Sequence, residues 1–349
     1  MAAADYASAV RKGTMAAARL HERLGLRHEM EARGGNVDVF GAIQKIDLPL
    51  LFRPLQGLLG AYLREPAPGV LVTTQRPMSI QRFTAAHELG HFSMRHRPSL
   101  DDESMLRRMP ILGEPFGHRR IRATEKSAGD FQEIEADAFA TGFMMPRWLL
   151  HGHAARQGWT VSDFRRPNRV YQLALRLGAS YEATCWTLVR YGLIQPALAR
   201  ELLQTQPREL KAALLEDYRP PDYRGDVWLL TERDGKTHID GSRNDLFVLK
   251  LQEHSGGGYL WNIDQLKASG FGIVRDGLES IDGEGIGGPV IRRVTAAPPD
   301  THCGSMALDE RRPWDPDPPL SSLKLDFDLT GPEEEGLSRA ERRSLLEAA

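Results

Sequence analysis

Apolar residues recur at helical spacing through residues 5–32, a stretch rich in Ala, Leu, Arg and Glu, and predict a helix there. Gly34-Gly35-Asn36 breaks the pattern, and Val37–Ile43 follows as a short helix or a turn. Three short apolar runs, Leu48–Phe52, Leu58–Leu63 and Val70–Thr74, read as strands. A longer helix takes Ser79 as N-cap and passes through Ile80, Phe83, His87 and His91 to about Met94. Residues 96–128 are polar, with Arg and Pro, and predict a loop with little fixed structure. Asp130 caps the next helix, which runs through Glu133, Ala136, Ala140 and Phe143 until Pro146 ends it. Three shorter helical patterns continue to about residue 217.

The pattern changes beyond Pro220-Pro221, the clearest linker in the chain. Val227–Leu230, Leu246–Leu251, Tyr259–Trp261, Val290–Val294 and Leu323–Asp328 cluster or alternate as strands between Gly- and Pro-rich turns. That argues for an all-β, Ig-like sandwich. From Pro332 the chain is charged and is expected to fray or form an isolated helix. The fold class predicted is α+β: a mainly helical domain with a small β-sheet, then the sandwich. The expected divisions are an N-terminal helix at 1–34, a core at 35–150, a helical extension at 151–218, the sandwich at 225–331 and a charged tail at 332–349.

Composition excludes several classes. Hydrophobic residues at 41% and charged residues at 26% are ordinary for globular proteins, so a disordered or fibrous chain is not expected. Lys plus Arg number 45 against 47 Asp plus Glu, which removes whole-chain charge as an argument for nucleic-acid or anionic-membrane binding. Two cysteines, Cys185 and Cys303, cannot make a disulfide framework and neither has a CxxC partner, which fits a reducing compartment. The first residues lack a secretory apolar run, and no segment offers the roughly 20 uninterrupted apolar residues of a membrane span. A soluble, cytoplasmic protein is expected.

The sharpest chemical signal is His87-Glu88-Leu89-Gly90-His91, an HExxH within a helical pattern. Histidines at i and i+4 share a helical face, so both imidazoles can reach one ion, with Glu88 placed to take a proton from a water on it. Catalytic zinc takes three protein ligands and a water, whereas a structural site takes four and closes the water position. No cysteine lies near enough to suggest the latter. The third ligand is sought in Glu133-Ile134-Glu135-Ala136-Asp137. Glu133 and Asp137 share a face, so Glu133 can ligate while Asp137 accepts a hydrogen bond from a ligand imidazole. Glu135 is the other candidate, but it points away from the Asp137 face of a regular helix, which favours Glu133.

Arg82-Phe83-Thr84-Ala85-Ala86-His87-Glu88-Leu89-Gly90-His91, followed by Glu133-Ile134-Glu135-Ala136-Asp137-Ala138-Phe139-Ala140 and Met144-Met145-Pro146, resembles the ImmA/IrrE family of zinc metallopeptidases over about residues 35–195. The resemblance implies a compact peptidase fold in which a small sheet packs beside the HExxH helix. It implies His87, His91 and Glu133 as Zn2+ ligands and Glu88 as general base. It also implies a protein substrate, a helix-turn-helix repressor whose cleavage switches on mobile-element or stress-response genes. Many members carry an N-terminal helix-turn-helix domain, and residues 1–35 are too short for one. An oxyanion needs a stabilising group as well, for which His118, Tyr171 and Tyr181 are candidates by type.

Two further segments carry chemistry. Residues 164–194 hold two helical patterns joined through Leu177-Gly178-Ala179-Ser180, with Ser180 as N-cap of the second. Arg165, Arg166, Arg169, Arg176 and Arg190 could meet phosphates, but charge alone specifies nothing. Packing through Leu173, Leu177, Trp186 and Leu188, or substrate docking, is favoured over DNA binding. In the β region, Ser255-Gly256-Gly257-Gly258-Tyr259-Leu260-Trp261, Gly283-Glu284-Gly285-Ile286-Gly287-Gly288 and Arg312-Pro313-Trp314 are similar in order to the three loops of chagasin-like cysteine-peptidase inhibitors, over about residues 225–330. That resemblance implies partner binding through Gly258, Tyr259, Trp261, Arg312, Pro313 and Trp314. Gly256-Gly257 stand where that family carries threonines, so this loop lacks the side chains that fill a cleft. The other reading makes Tyr259 and Trp261 sandwich core.

The favoured reading is thus a zinc endopeptidase acting on a regulatory protein, its β domain recruiting or regulating the substrate. The alternative is a metal-stabilised regulator that binds a protein partner, or DNA, without cleavage.

Overall fold

The computed structural model describes residues 2–102, 128–281, 288–315 and 317–348. The helix expected over 5–32 is two helices, α1 (Ala2–Leu24) and α2 (Leu26–Arg33), broken at Gly25, whose φ of 64° is left-handed. After α3 (Val39–Gln44), the strands β1 (Leu50–Arg53), β2 (Leu58–Leu63) and β3 (Gly69–Thr73) form where the apolar runs predict them. A fourth strand, β4 (Ser99–Asp102), lies where a structureless loop was expected, and it pairs antiparallel with β2. β1 and β3 are parallel, and β2 is antiparallel to β3.

The HExxH helix, α4 (Met78–Met94), packs on β2 and β3. It starts one residue before Ser79: the Pro77 carbonyl accepts from the Ile80 and Gln81 amides, so Pro77, not Ser79, holds the cap position. α5 (Ala128–Met144) begins before Asp130, which therefore lies inside the helix rather than at its cap. α4 and α5 meet at Gly90, where a Cβ would sit 3.1 Å from the Phe139 side chain. That close approach sets the acidic helix against the two histidines.

The helical extension comprises α6 (Arg147–Gln157), α7 (Pro167–Leu177), α8 (Tyr181–Arg190), α9 (Pro196–Leu202) and α10 (Pro207–Leu215). Gly178 turns left-handed after α7, and Ser180 Oγ caps α8 by accepting from the Ala183 amide at 3.1 Å. Leu173, Leu177, Trp186 and Leu188 are buried as the packing reading expects. Four of the five arginines turn to protein partners: Arg176 bonds Asp234, Arg169 stacks on Trp159, Arg190 donates to Thr14 and Arg166 pairs with Asp163.

The C-terminal region is two four-stranded sheets. One has the order β5 (Val227–Leu230), β7 (Leu246–Glu253), β10 (Val290–Ala297), β9 (Gly272–Ser280). The other runs β6 (His238–Asp240), β12 (Ser321–Asp328), β11 (Cys303–Arg311), β8 (Leu260–Trp261). Phe271 joins them, meeting Phe247 and Phe327 edge-on, each at 5.4 Å between ring centroids. The overall class is α+β.

Two features run across the expected divisions. One continuous core holds residues from both sides of Pro220-Pro221. Gln172 bonds the backbone of Val227 and Leu229, and Arg82 pairs with Asp240 at 3.3 Å. The segment after Pro332 forms the helix expected as one of two outcomes, but not in isolation. β13 (Gly336–Leu337) pairs antiparallel with β1, extending the sheet to the order β13-β1-β3-β2-β4, before α11 (Arg339–Ala348). Gln81 of α4 secures it through both backbone polar groups of Glu333, at 3.1 and 2.8 Å. The HExxH helix is thus tied directly to the returning chain end. Among the described residues, no helix is long and apolar enough to cross a membrane.

Candidate metal centre

One turn of α4 separates His87 and His91, and their Nε2 atoms lie 3.0 Å apart. From α5, Glu133 faces both, with Oε2 3.4 Å from His87 Nε2 and Oε1 3.6 Å from His91 Nε2. Ser99 Oγ donates to Glu133 at 3.0 Å and steadies it. Asp137, one turn on, places a carboxylate oxygen 2.9 Å from His87 Nδ1. A proton held on Nδ1 by that carboxylate leaves Nε2 as the donor to a metal.

Two residues of the centre, Asp101 and His96, lay outside the sequence reading. Asp101, inward-facing on β4, brings Oδ2 to 3.5 Å from His87 Nε2. His87, His91, Asp101 and Glu133 all offer ligand atoms within 4.8 Å of one another. His96 sits with Nδ1 3.1 Å from His91 Nδ1, and its Nε2 is 2.9 Å from Glu135. Glu135, the rejected candidate ligand, instead pairs through Oε2 with Lys12 of α1 at 2.7 Å. With its proton on Nε2 for Glu135, His96 accepts from the Nδ1–H of His91, which frees His91 Nε2. The one available signal for this chain was a third histidine five residues beyond His91. The left-handed cap residue Arg95 turns it back to the helix.

Glu88 is fully buried, and among the described residues no amide, amine or hydroxyl donates to its oxygens; the Asp101 carboxyl is its polar neighbour. Gly60 on β2 makes room for it: a Cβ there would lie 2.9 Å from Glu88 Oε1 and 2.4 Å from Thr84 Cγ2. Burial pushes the Glu88 carboxyl well above the usual carboxylate range; a charged His87 opposes this, while Asp101 and Glu133 add to it. Burial disfavours a charged His87, but Asp137, Glu133 and Asp101 outweigh it and hold its pKa well above the usual imidazole range. Two imidazoles and four carboxylates gathered out of solvent form a donor set that a divalent cation would balance. For metal–ligand bonds of about 2.0–2.2 Å, tetrahedral donors stand about 3.3–3.6 Å apart. The separations of 3.4–3.6 Å from Glu133 to the histidines fall in that range, and the two histidines at 3.0 Å come close to it. The residues present fit zinc.

Neither tyrosine candidate for the oxyanion is brought to the centre. Tyr171 donates to Asp226 and Tyr181 to the Leu202 carbonyl, each at 2.9 Å, and His118 lies outside the described residues. A cavity of about 450 Å³ opens one turn along α4 from His87, beside Phe83, Met144, Met145 and Tyr181, rather than over the ligands.

At the sandwich end, Arg312 stacks on Tyr259 at 4.5 Å and donates to the Gly257 carbonyl, and Gly258 abuts Trp314. Pro313 and Trp314 are exposed, Trp314 to 73%. Trp261, expected among the partner-facing residues, is instead core: it is 3% exposed and its Nε1 donates to the Gln252 carbonyl at 2.8 Å. Alternation along β8 turns it inward while Leu260 faces out. Residues 283–287 of the glycine loop lie outside the described residues.

Residues 44–189 match the peptidase M78 family model, described as the IrrE N-terminal-like domain. No curated protein matches the chain. Among solved structures, the cysteine protease inhibitor EhICP2 from Entamoeba histolytica is similar at 25% identity and a TM-score of 0.26, covering 30% of this chain and 95% of its own. Amebosin is similar at 20% identity and a TM-score of 0.25, covering 29% and 95%.

Proposed function

We propose that this chain is a zinc-dependent endopeptidase in which His87, His91 and Glu133 hold the ion and Glu88 is the general base. The observation that supports it most is the convergence of those three ligand groups beside the buried carboxylate of Glu88. A purely structural metal site has no chemical need for Glu88. Zinc bound there would supply Lewis-acid chemistry, polarising the scissile carbonyl and acidifying water. Glu88, made more basic by burial, takes the proton of the attacking water and delivers it to the leaving amine. Asp137 fixes the His87 tautomer, and His96 with Glu135 fixes that of His91. On the ImmA/IrrE resemblance, the substrate is a cytoplasmic helix-turn-helix regulator. The β-sandwich recruits or regulates it, with stress-response or mobile-element transcription as the output. The test is a proteolysis screen of the zinc-supplied protein beside Glu88→Gln. Cleavage present in the wild type and lost in the variant supports the reading; equal cleavage by both refutes it.

One observation favours a second reading. His87, Glu88 and His91 are fully buried, and Asp101 stands with them as a fourth protein group. A closed set of that kind suits a metal-stabilised regulator that binds its partner without cutting it. That reading predicts stoichiometric zinc and no cleavage of any substrate.

A further inference from the structure

We propose that Asp101 is a fourth metal ligand and that the chain as folded is a latent form, open to water and substrate only when β4 withdraws that carboxylate. This rests on the metal centre assigned above and adds the state in which the site is held. Asp101 Oδ2 stands 3.5 Å from His87 Nε2, within the tetrahedral spacing of about 3.3–3.6 Å. Three ligands leave the vertex that a catalytic site reserves for water, and among the described residues Asp101 is the further group whose ligand atom lies within 4.8 Å of theirs. Its carboxyl is 4% exposed, and the site beneath it is fully buried at His87, Glu88 and His91, so a peptide cannot reach Glu88 in this state.

β4 is suited to release. It is four residues long, among the described residues it is the terminal strand of its sheet, and its pairing with β2 shifts register between Leu58 and Gly60. Alternation turns Asp101 to the metal centre and leaves Leu100 69% exposed on the opposite face. Ser99 of the same strand holds Glu133, so movement of β4 alters two groups of the centre together. The two readings of the previous section then become two states of one site: closed with Asp101 bound, catalytic with it withdrawn.

The test uses the full chain loaded with Co(II) in place of zinc, in the wild type, Asp101→Asn and Asp101→Ala, with acetohydroxamate as the probe of an open position. The wild type is expected to bind about one Co(II) per chain with a visible spectrum that acetohydroxamate leaves unchanged. Both variants are expected to keep the fold by circular dichroism, to lose about tenfold or more in Co(II) affinity, and to show a spectrum that acetohydroxamate shifts. A wild-type spectrum that acetohydroxamate shifts as readily as in Asp101→Ala overturns the proposal, as does unchanged Co(II) affinity in both variants. Those results leave the three-ligand centre intact. Absence of Co(II) binding in every form, the wild type included, overturns the centre itself.

Discussion

Replacing Glu135 by Gln should weaken zinc binding although the residue is no ligand. Its carboxylate accepts from His96 Nε2 at 2.9 Å, and His96 in turn meets His91 Nδ1 at 3.1 Å. A hydrogen bond to a charged group contributes about 1.5–3 kcal/mol, and loss of a metal site's supporting partner typically costs about 10–100-fold in affinity. A factor of 10–100 is about 1.4–2.8 kcal/mol, so the two figures agree. Burial lowers the His96 pKa, with Glu135 opposing, so His96 is neutral and able to accept from His91. His96→Ala should therefore cost as much as Glu135→Gln. Lys12→Ala should cost little, because its side chain is 62% exposed and such pairs contribute about 0–1 kcal/mol. Zinc affinity is read by competition with a chromophoric chelator, beside melting of the metal-free proteins. Equal zinc affinity in wild type, His96→Ala and Glu135→Gln would refute the reasoning. So would a loss that tracked metal-free stability alone.

Three other outcomes follow from local geometry. Gly60→Ala forces a Cβ against Thr84, Glu88 and the Leu71 carbonyl, so stability should fall by about 1–3 kcal/mol and any cleavage should fall with it; cleavage unchanged from wild type counts against the placement of Glu88. Gln81→Ala removes both bonds to Glu333, about 1–3 kcal/mol together, and deletion of 332–349 uncovers the β1 edge and should promote self-association. Light scattering and melting read these effects, and unchanged behaviour contradicts a docked chain end. His153 donates to the Gly35 carbonyl, and burial, aided by Arg176 and Arg156, lowers its pKa from 6.5 to about 4. The unfolded chain takes up this proton first, so stability should fall as pH drops from about 6.5 to about 4, by about 3 kcal/mol. His153→Gln should lack that share in urea titrations at the two pH values, and an identical pH dependence would contradict the assignment.

The sequence disclosed those parts of the centre that rest on local periodicity. His87, Glu88 and His91 are neighbours on one helix, and Glu133 and Asp137 repeat the same spacing on another. Asp101 lies in Ser99-Leu100-Asp101-Asp102, a stretch without a readable period. Only the pairing of β4 with β2 carries it to the ligands. In the sandwich, β9 is exposed along nearly its whole length and offers no apolar alternation. β11 points a buried acid inward: Glu310 accepts from the His254 amide at 2.7 Å, so an inward position reads as polar. β13 is two residues long, too short for any pattern, and exists only because the β1 edge receives it.

The central claim is a metal centre of catalytic type, and zinc content tests it most directly. Metal is to be measured in purified wild type, Glu88→Gln and Glu133→Ala after zinc is supplied and excess removed. The account predicts about one zinc per chain in the wild type, the same in Glu88→Gln, and weakened retention in Glu133→Ala. Absence of zinc from all three would contradict it.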